Sequence, residues 1–151
     1  PVEEQAVSAA AFVSTLVDDI GLEGTVSHEV DEDTILLNVE GANLGLLVGP
    51  KGATLNAIEE LARAVVQRDS GGHGARVRVD VGGYKAKRRA ALADFTRKLA
   101  EDVIDSGEEQ VLEPMSSPDR KVVHDTAAEI DGVETSSEGE DPRRYVVIRP
   151  V

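Results

Sequence analysis

Three short stretches carry side chains whose types and spacing could do chemistry. In Gly49-Pro50-Lys51-Gly52, two glycines bracket a proline and a cation. Glycine lets the backbone turn tightly and lets a ligand come close. A helix starting after such a turn offers free N–H groups and the positive end of its dipole, an arrangement that suits phosphate. Lys51 adds a point charge. A nucleotide-binding P-loop does not fit, because it needs Gly-Lys followed by Ser or Thr, and here Lys51 precedes its glycine. Taken alone, the tetrapeptide reads first as a plain turn between helices.

The second stretch is Tyr84-Lys85-Ala86-Lys87-Arg88-Arg89, which opens a long helical run. Its cations stand at the positive end of the dipole, where each exposed charge costs up to about 0.3–1 kcal/mol. Glu101, Asp102 and Asp105 are wrong-signed at the other end. Residues set against local preference point to a ligand, or else to a screened, solvated face. In the third stretch, Arg120 and His124 lie four apart and so share a helix face. An arginine can fork two phosphate oxygens, and a neutral histidine can donate one hydrogen bond. The structural alternative is that Arg120 pairs with Asp119, Glu113 or Glu134. Arg143 and Arg144, read as part of the last strand, could add phosphate contacts.

Enzyme chemistry finds little support. His124-Asp125 resembles half of a metal-dependent phosphohydrolase pair, yet the other histidines, His28 and His73, lack ligand spacing. There is no Gly-x-Ser-x-Gly elbow. The absence of cysteine excludes a thiol nucleophile, a disulfide scaffold and any cysteine-held metal. No catalytic residue, metal or cofactor is expected.

These stretches must be positioned by regular elements. Glu4 to Ile20 reads as a helix packing through Ala6, Ala10, Val13 and Val17, stopped by Gly21 and Gly24. Strands follow at Thr25–Val30 and Thr34–Val39, with a turn at Asp31-Glu32-Asp33. Leu44 to Val48 form a short helical turn before the glycine pair. Ala53 to Arg68 is amphipathic through Leu55, Ile58, Leu61, Ala62 and Val65. Arg76 to Val81 alternates as a half-buried strand. Tyr84 to Asp105 is a long helix carrying Leu92, Phe95, Leu99 and Val103. Ser117-Pro118 reads as cap and first residue of a helix running to about Ile130. Val133–Glu138 and Arg143–Arg149 complete the chain as strands. Helices and strands do not alternate strictly, so the class is α+β.

The 151 residues include 29 acidic and 16 basic side chains, a formal charge of −13, but the charge is uneven. Residues 1–42 carry ten acids and no Lys or Arg, whereas residues 43–100 carry eleven bases against five acids. What steers a polyanion is the local field of a basic patch, not the total. Aromatics make up only 3%, so a base-stacking platform is not available. No apolar run approaches the roughly 18–20 residues of a membrane span. A cytoplasmic protein without membrane insertion is expected. The sequence begins at Pro1 rather than Met, which leaves room for a native N-terminal extension.

The order helix, strand, strand, short helix, Gly-x-x-Gly, helix, strand resembles a type II KH domain. In that family the Gly-x-x-Gly loop clamps the backbone of about four nucleotides, with bases in an apolar groove. The resemblance implies a groove from Leu46, Val48, Ala53, Leu55, Ile58 and the strand Arg76–Val81, although the apolar residues serve equally as core. With its flanks, Arg120-x-x-x-His124 resembles the R-three-H domain, associated with single-stranded nucleic acid. The combination resembles the bacterial Jag/KhpB (SpoIIIJ-associated) family. It implies a KH domain over residues 1–82 and a small α/β R-three-H domain over 83–151, joined by a long bridging helix at 84–105. It also implies binding of single-stranded RNA, with single-stranded DNA left open, through Gly49, Pro50, Lys51, Gly52, Lys85, Lys87, Arg88, Arg89, Arg120, His124, Arg143 and Arg144. The implied role is an RNA chaperone or post-transcriptional regulator tied to cell elongation, division and envelope homeostasis. A small stand-alone KH protein is the implied partner. The alternative is a protein-interaction adaptor whose KH fold has little RNA affinity.

Overall fold

Apolar residues recurring every three to four positions make the first element a helix, α1 (Val2–Ile20), which buries Ala6, Ala9, Val13 and Val17. Gly21 ends it in the left-handed conformation, its N–H returning to the Asp18 carbonyl. The computed structural model describes residues 1–151 and divides into two units, Pro1–Lys85 and Ala86–Val151.

In the first unit, β1 (Thr25–Asp31) and β2 (Thr34–Glu40) form an antiparallel hairpin with Val30 opposite Ile35. Ile35, Leu37 and Val39 alternate inward along β2. A short helix, α2 (Gly45–Val48), a single 3-10 turn at Pro50–Gly52 and α3 (Ala53–Asp69) follow. β3 (Arg76–Val81) then returns parallel to β2, with Leu37 opposite Val79, giving the order β1-β2-β3. A parallel pair needs such a long crossover, and the helices supply it. Residues from α1, α2, α3 and the sheet share one core around Leu37, Leu47, Leu55 and Val79.

β3 is an edge strand. The N–H groups of Arg76 and, just past the strand, Gly82 turn toward β2, donating to the Asp33 and Val39 carbonyls. Two N–H groups between them that face away meet side chains: Val79 donates to Glu59 Oε2 at 3.0 Å and Val81 to Asp80 Oδ1 at 2.9 Å. Just before the strand, Ala75 donates to Gln5 Oε1 at 2.9 Å.

The second unit contains most of α4 (Tyr84–Ser106), then β4 (Gln110–Val111), α5 (Ser117–Ala128), β5 (Val133–Glu138) and β6 (Tyr145–Pro150). Its antiparallel sheet has the order β4-β6-β5. Val103, Leu112, Val123, Val146 and Ile148 form its core. The whole is α+β, in the order read from the sequence.

Details of packing and capping differ from the sequence reading: on α1, Ala9 rather than Ala10 is fully buried. Leu61 is exposed, and Val66 takes the buried place on α3. Phe95 is exposed, and Thr96 is buried instead, its hydroxyl donating to the Leu92 carbonyl at 2.8 Å. Ser116, not Ser117, caps α5 by accepting the Asp119 N–H. Arg143 and Arg144 precede the last strand, which starts at Tyr145 because Glu140 to Arg143 closes a turn.

Candidate nucleic-acid interface

The glycine turn is built so that its middle residues face outward. Gly49 and Gly52 take φ of +71° and +79°. A Cβ on Gly49 would lie 2.2 Å from Thr54 Oγ1, and one on Gly52 would lie 2.9 Å from the Tyr84 ring. Neither position has room for a side chain. Lys51 itself sits at φ +54°, a region few non-glycine residues visit. As a result Gly52 is buried while Pro50 and Lys51 are exposed. α3 begins at once, with no side-chain cap on its first turn. Leu46, 70% exposed, and Ala53 flank the turn at the surface. Leu55 and Ile58 are core residues, so they do not line a surface groove. On β3, Arg76 and Arg78 are exposed and the valines buried.

The basic start of α4 splits in two. Lys87 and Arg89 are exposed. Lys85 is half-buried and ion-paired with Glu59, the carboxylate that also holds the Val79 N–H and Arg63. Arg88 is half-buried and pairs with Asp119 at 3.2 Å. Of the four cations read as RNA contacts, two, Lys85 and Arg88, are engaged by carboxylates of their own unit. Asp80 Oδ1 accepts the Lys85 N–H at 3.1 Å, anchoring the start of the helix.

The Arg-x-x-x-His face turns inward. The Arg120 side chain is 8% exposed; Nη1 donates to the Met115 carbonyl at 2.6 Å and reaches Asp141 Oδ1 at 3.4 Å. Asp141 was not among the partners read from the sequence, and Asp119 is taken by Arg88. His124 is half-buried between two hydroxyls, with Nδ1 2.7 Å from Thr135 Oγ1 and Nε2 2.7 Å from Ser137 Oγ. Burial, and then the nearby Arg120 charge, hold its pKa below the ordinary histidine value, so the ring is biased toward neutrality. Neither ring nitrogen points unengaged into solvent. Sequence reasoning missed Thr135 and Ser137; their i, i+2 spacing on a strand, which puts both hydroxyls on one face, was the available signal. Arg143 and Arg144 are exposed on the turn before β6. Arg149, another residue the sequence did not single out, binds Glu109, Ser136 and Glu138, and its pKa is pushed up chiefly by the Glu138 hydrogen bond.

No group of three or more His, Asp or Glu side chains is gathered where it could hold a metal ion. No helix is long and apolar enough to cross a membrane.

Comparison with known proteins covers both units. Residues 8–81 match the family model of the KhpA/KhpB KH domain, and residues 90–150 match that of the R-three-H domain. The RNA-binding protein KhpB of Bacillus subtilis is 32% identical over 142 residues, covering 93% of this chain and 68% of that protein. Its namesake from Streptococcus pneumoniae is 31% identical over 147 residues, covering 97% of this chain and 44% of that protein. The Lactiplantibacillus plantarum protein of the same name is 33% identical over 146 residues, covering 96% and 45%. The chain thus spans less than half the length of the last two relatives.

Proposed function

Because the chain belongs to the KhpB (Jag) family, in which a KH domain precedes an R-three-H domain, we propose that it binds single-stranded RNA. The observation that carries this reading is the glycine turn: two obligatory glycines, Pro50 and Lys51 facing outward, and an uncapped helix start directly behind. A phosphate there meets backbone donors, the positive end of a dipole and an ammonium. Lys87 and Arg89 are the second set of contacts, and Arg143 and Arg144 the third. RNA keeps to these sites because residues 1–42 carry only acidic charge and repel it.

In the cell we place this activity in the cytoplasm, as an RNA chaperone or post-transcriptional regulator rather than an enzyme. It would serve cell elongation, division and envelope homeostasis alongside a small stand-alone KH protein. Support for this finer reading is the resemblance of nearly the whole chain to one family.

The test is binding of labelled single-stranded RNA across a salt series. The expected result is a log–log slope of about −0.7 per phosphate contact. No binding at low salt would favour the adaptor reading, in which the acidic segments hold a protein. Crosslinking and sequencing of bound RNA then identifies targets.

A further inference from the structure

Arg120 belongs to the signature that led the sequence reading to a phosphate contact, yet its guanidinium is enclosed. With 8% of the side chain exposed, it cannot fork a phosphate without leaving its site. What it does hold is local backbone. Nη1 joins the Met115 carbonyl to the Asp141 carboxylate. The Met115 N–H donates to the Arg144 carbonyl at 3.0 Å, and the Arg143 N–H donates to the Glu140 carbonyl at 2.8 Å. One guanidinium thus secures both the lead-in to α5 and the turn at residues 139–144. That turn carries Arg143 and Arg144 with exposed side chains.

We propose that Arg120 is a positioning residue: it fixes the turn so that Arg143 and Arg144 meet the RNA backbone already arranged. This rests on the RNA-binding reading above. Ordering a loose turn on binding costs affinity, and fixing it beforehand removes that cost. Arginine suits the task because the two N–H bonds of Nη1 are fixed in the guanidinium plane, one for each acceptor, where a lysine ammonium is a rotating point charge on a shorter stem.

Asp141 gives the decisive test, because two accounts of it predict opposite signs. Its carboxylate is 76% exposed and lies beside the proposed contacts. If only electrostatics matters, Asp141→Asn removes an anion and RNA binds more tightly. If Arg120 positions the turn, the same variant turns a charge-assisted bond to Oδ1 into a weaker neutral one, the turn loosens and affinity falls, by about two- to fivefold. Binding of a labelled mixed-sequence single-stranded RNA to the full chain is measured for Asp141→Asn, for Arg120→Lys, and for Arg143→Ala with Arg144→Ala. The first two are also combined with the double-alanine variant, and thermal unfolding is recorded beside every measurement. The expected result is a fall for all three, with Asp141→Asn and Arg120→Lys adding nothing once Arg143 and Arg144 are gone. Tighter binding by Asp141→Asn overturns the proposal. So does a further loss from Arg120→Lys in the double-alanine background, which would make Arg120 a contact in its own right. A lower Tm with unchanged affinity assigns Arg120 to stability alone and also overturns it. If the unmodified chain binds no RNA, the parent reading fails and takes this one with it. If RNA binds but Arg143→Ala with Arg144→Ala changes nothing, only this proposal falls.

Discussion

In the first unit the signature residues are turned outward by the backbone; in the second they are turned inward and held by other side chains. Pro50 and Lys51 stand exposed because Gly49 and Gly52 leave no room for a Cβ and adopt positive φ. Arg120 and His124 share a helix face that packs against Met115, Asp141, Thr135 and Ser137. The first motif is a shape made by the main chain, with the two residues between the glycines facing outward. The second is a brace whose named residues are engaged by other groups of the unit, while neighbouring Arg143 and Arg144 face the solvent. A signature can therefore mark the contact or the support behind it, and burial tells them apart.

The sharpest way to break this comparison is Pro50→Asp with Lys51→Asp. Aspartate tolerates the left-handed backbone of position 51 better than most residues, and both sites are exposed, so Tm should barely move. RNA affinity should fall at least tenfold, about 1.4 kcal/mol, because two anions replace the phosphate site. Unchanged binding would remove the glycine turn from the interface. A second division lies within one helix. Lys87→Ala with Arg89→Ala should weaken all single-stranded RNAs alike and reduce the salt slope by about 1.4, at about 0.7 per contact. Lys85→Ala and Arg88→Ala should leave affinity nearly intact and lower Tm, since Glu59 and Asp119 lose their counter-ions. Equal losses of affinity from both pairs would erase the distinction between paired and exposed cations.

The brace can be probed by pH. His124 has a folded pKa below its unfolded value of about 6.5, so the unfolded chain takes up the proton first on acidification. Its contribution is fully present above about pH 6.5 and is lost as pH falls from there to the folded pKa. Between about pH 7.5 and 5.5 the Tm should fall, and His124→Gln should flatten that dependence. An unaltered profile in the variant would mean another group titrates. The smallest effect belongs to Lys121 and Asp125, an exposed i, i+4 pair one position from each signature residue. Lys121→Ala should change unfolding free energy by no more than about 0.5 kcal/mol. A larger loss would show that the outer side of α5 also supports the unit.

The order of elements and the place of both motifs were legible because each rests on local rules: apolar period, turn residues and capping. What was not legible depended on neighbours distant in sequence. Leu61 and Val66 stand roughly 140° apart around α3, and Phe95 and Thr96 roughly 100° apart around α4, and only the packed partner fixes which faces inward. Thr96 can be buried because its hydroxyl bonds to Leu92 within its own helix. Ser116 and Ser117 are chemically alike, so the residue that caps α5 is decided by the backbone, extended at Ser116. The cations were the hardest to place. Lys85 and Arg88 look like Lys87 and Arg89 in sequence, but Glu59 and Asp119 claim them from 26 and 31 residues away.

The side chains along the outer edge of β3 have a consequence for solubility. An open strand edge is a template on which another chain can add a strand, and repeated addition leads to aggregation. Gln5, Glu59 and Asp80 already occupy the outward N–H groups of Ala75, Val79 and Val81. An incoming strand would have to displace a glutamine and two carboxylates, one of them also ion-paired with Lys85, before it could pair there. At this edge the first unit thereby limits the growth of its sheet, using residues from α1, α3 and β3 that come together once the chain has folded.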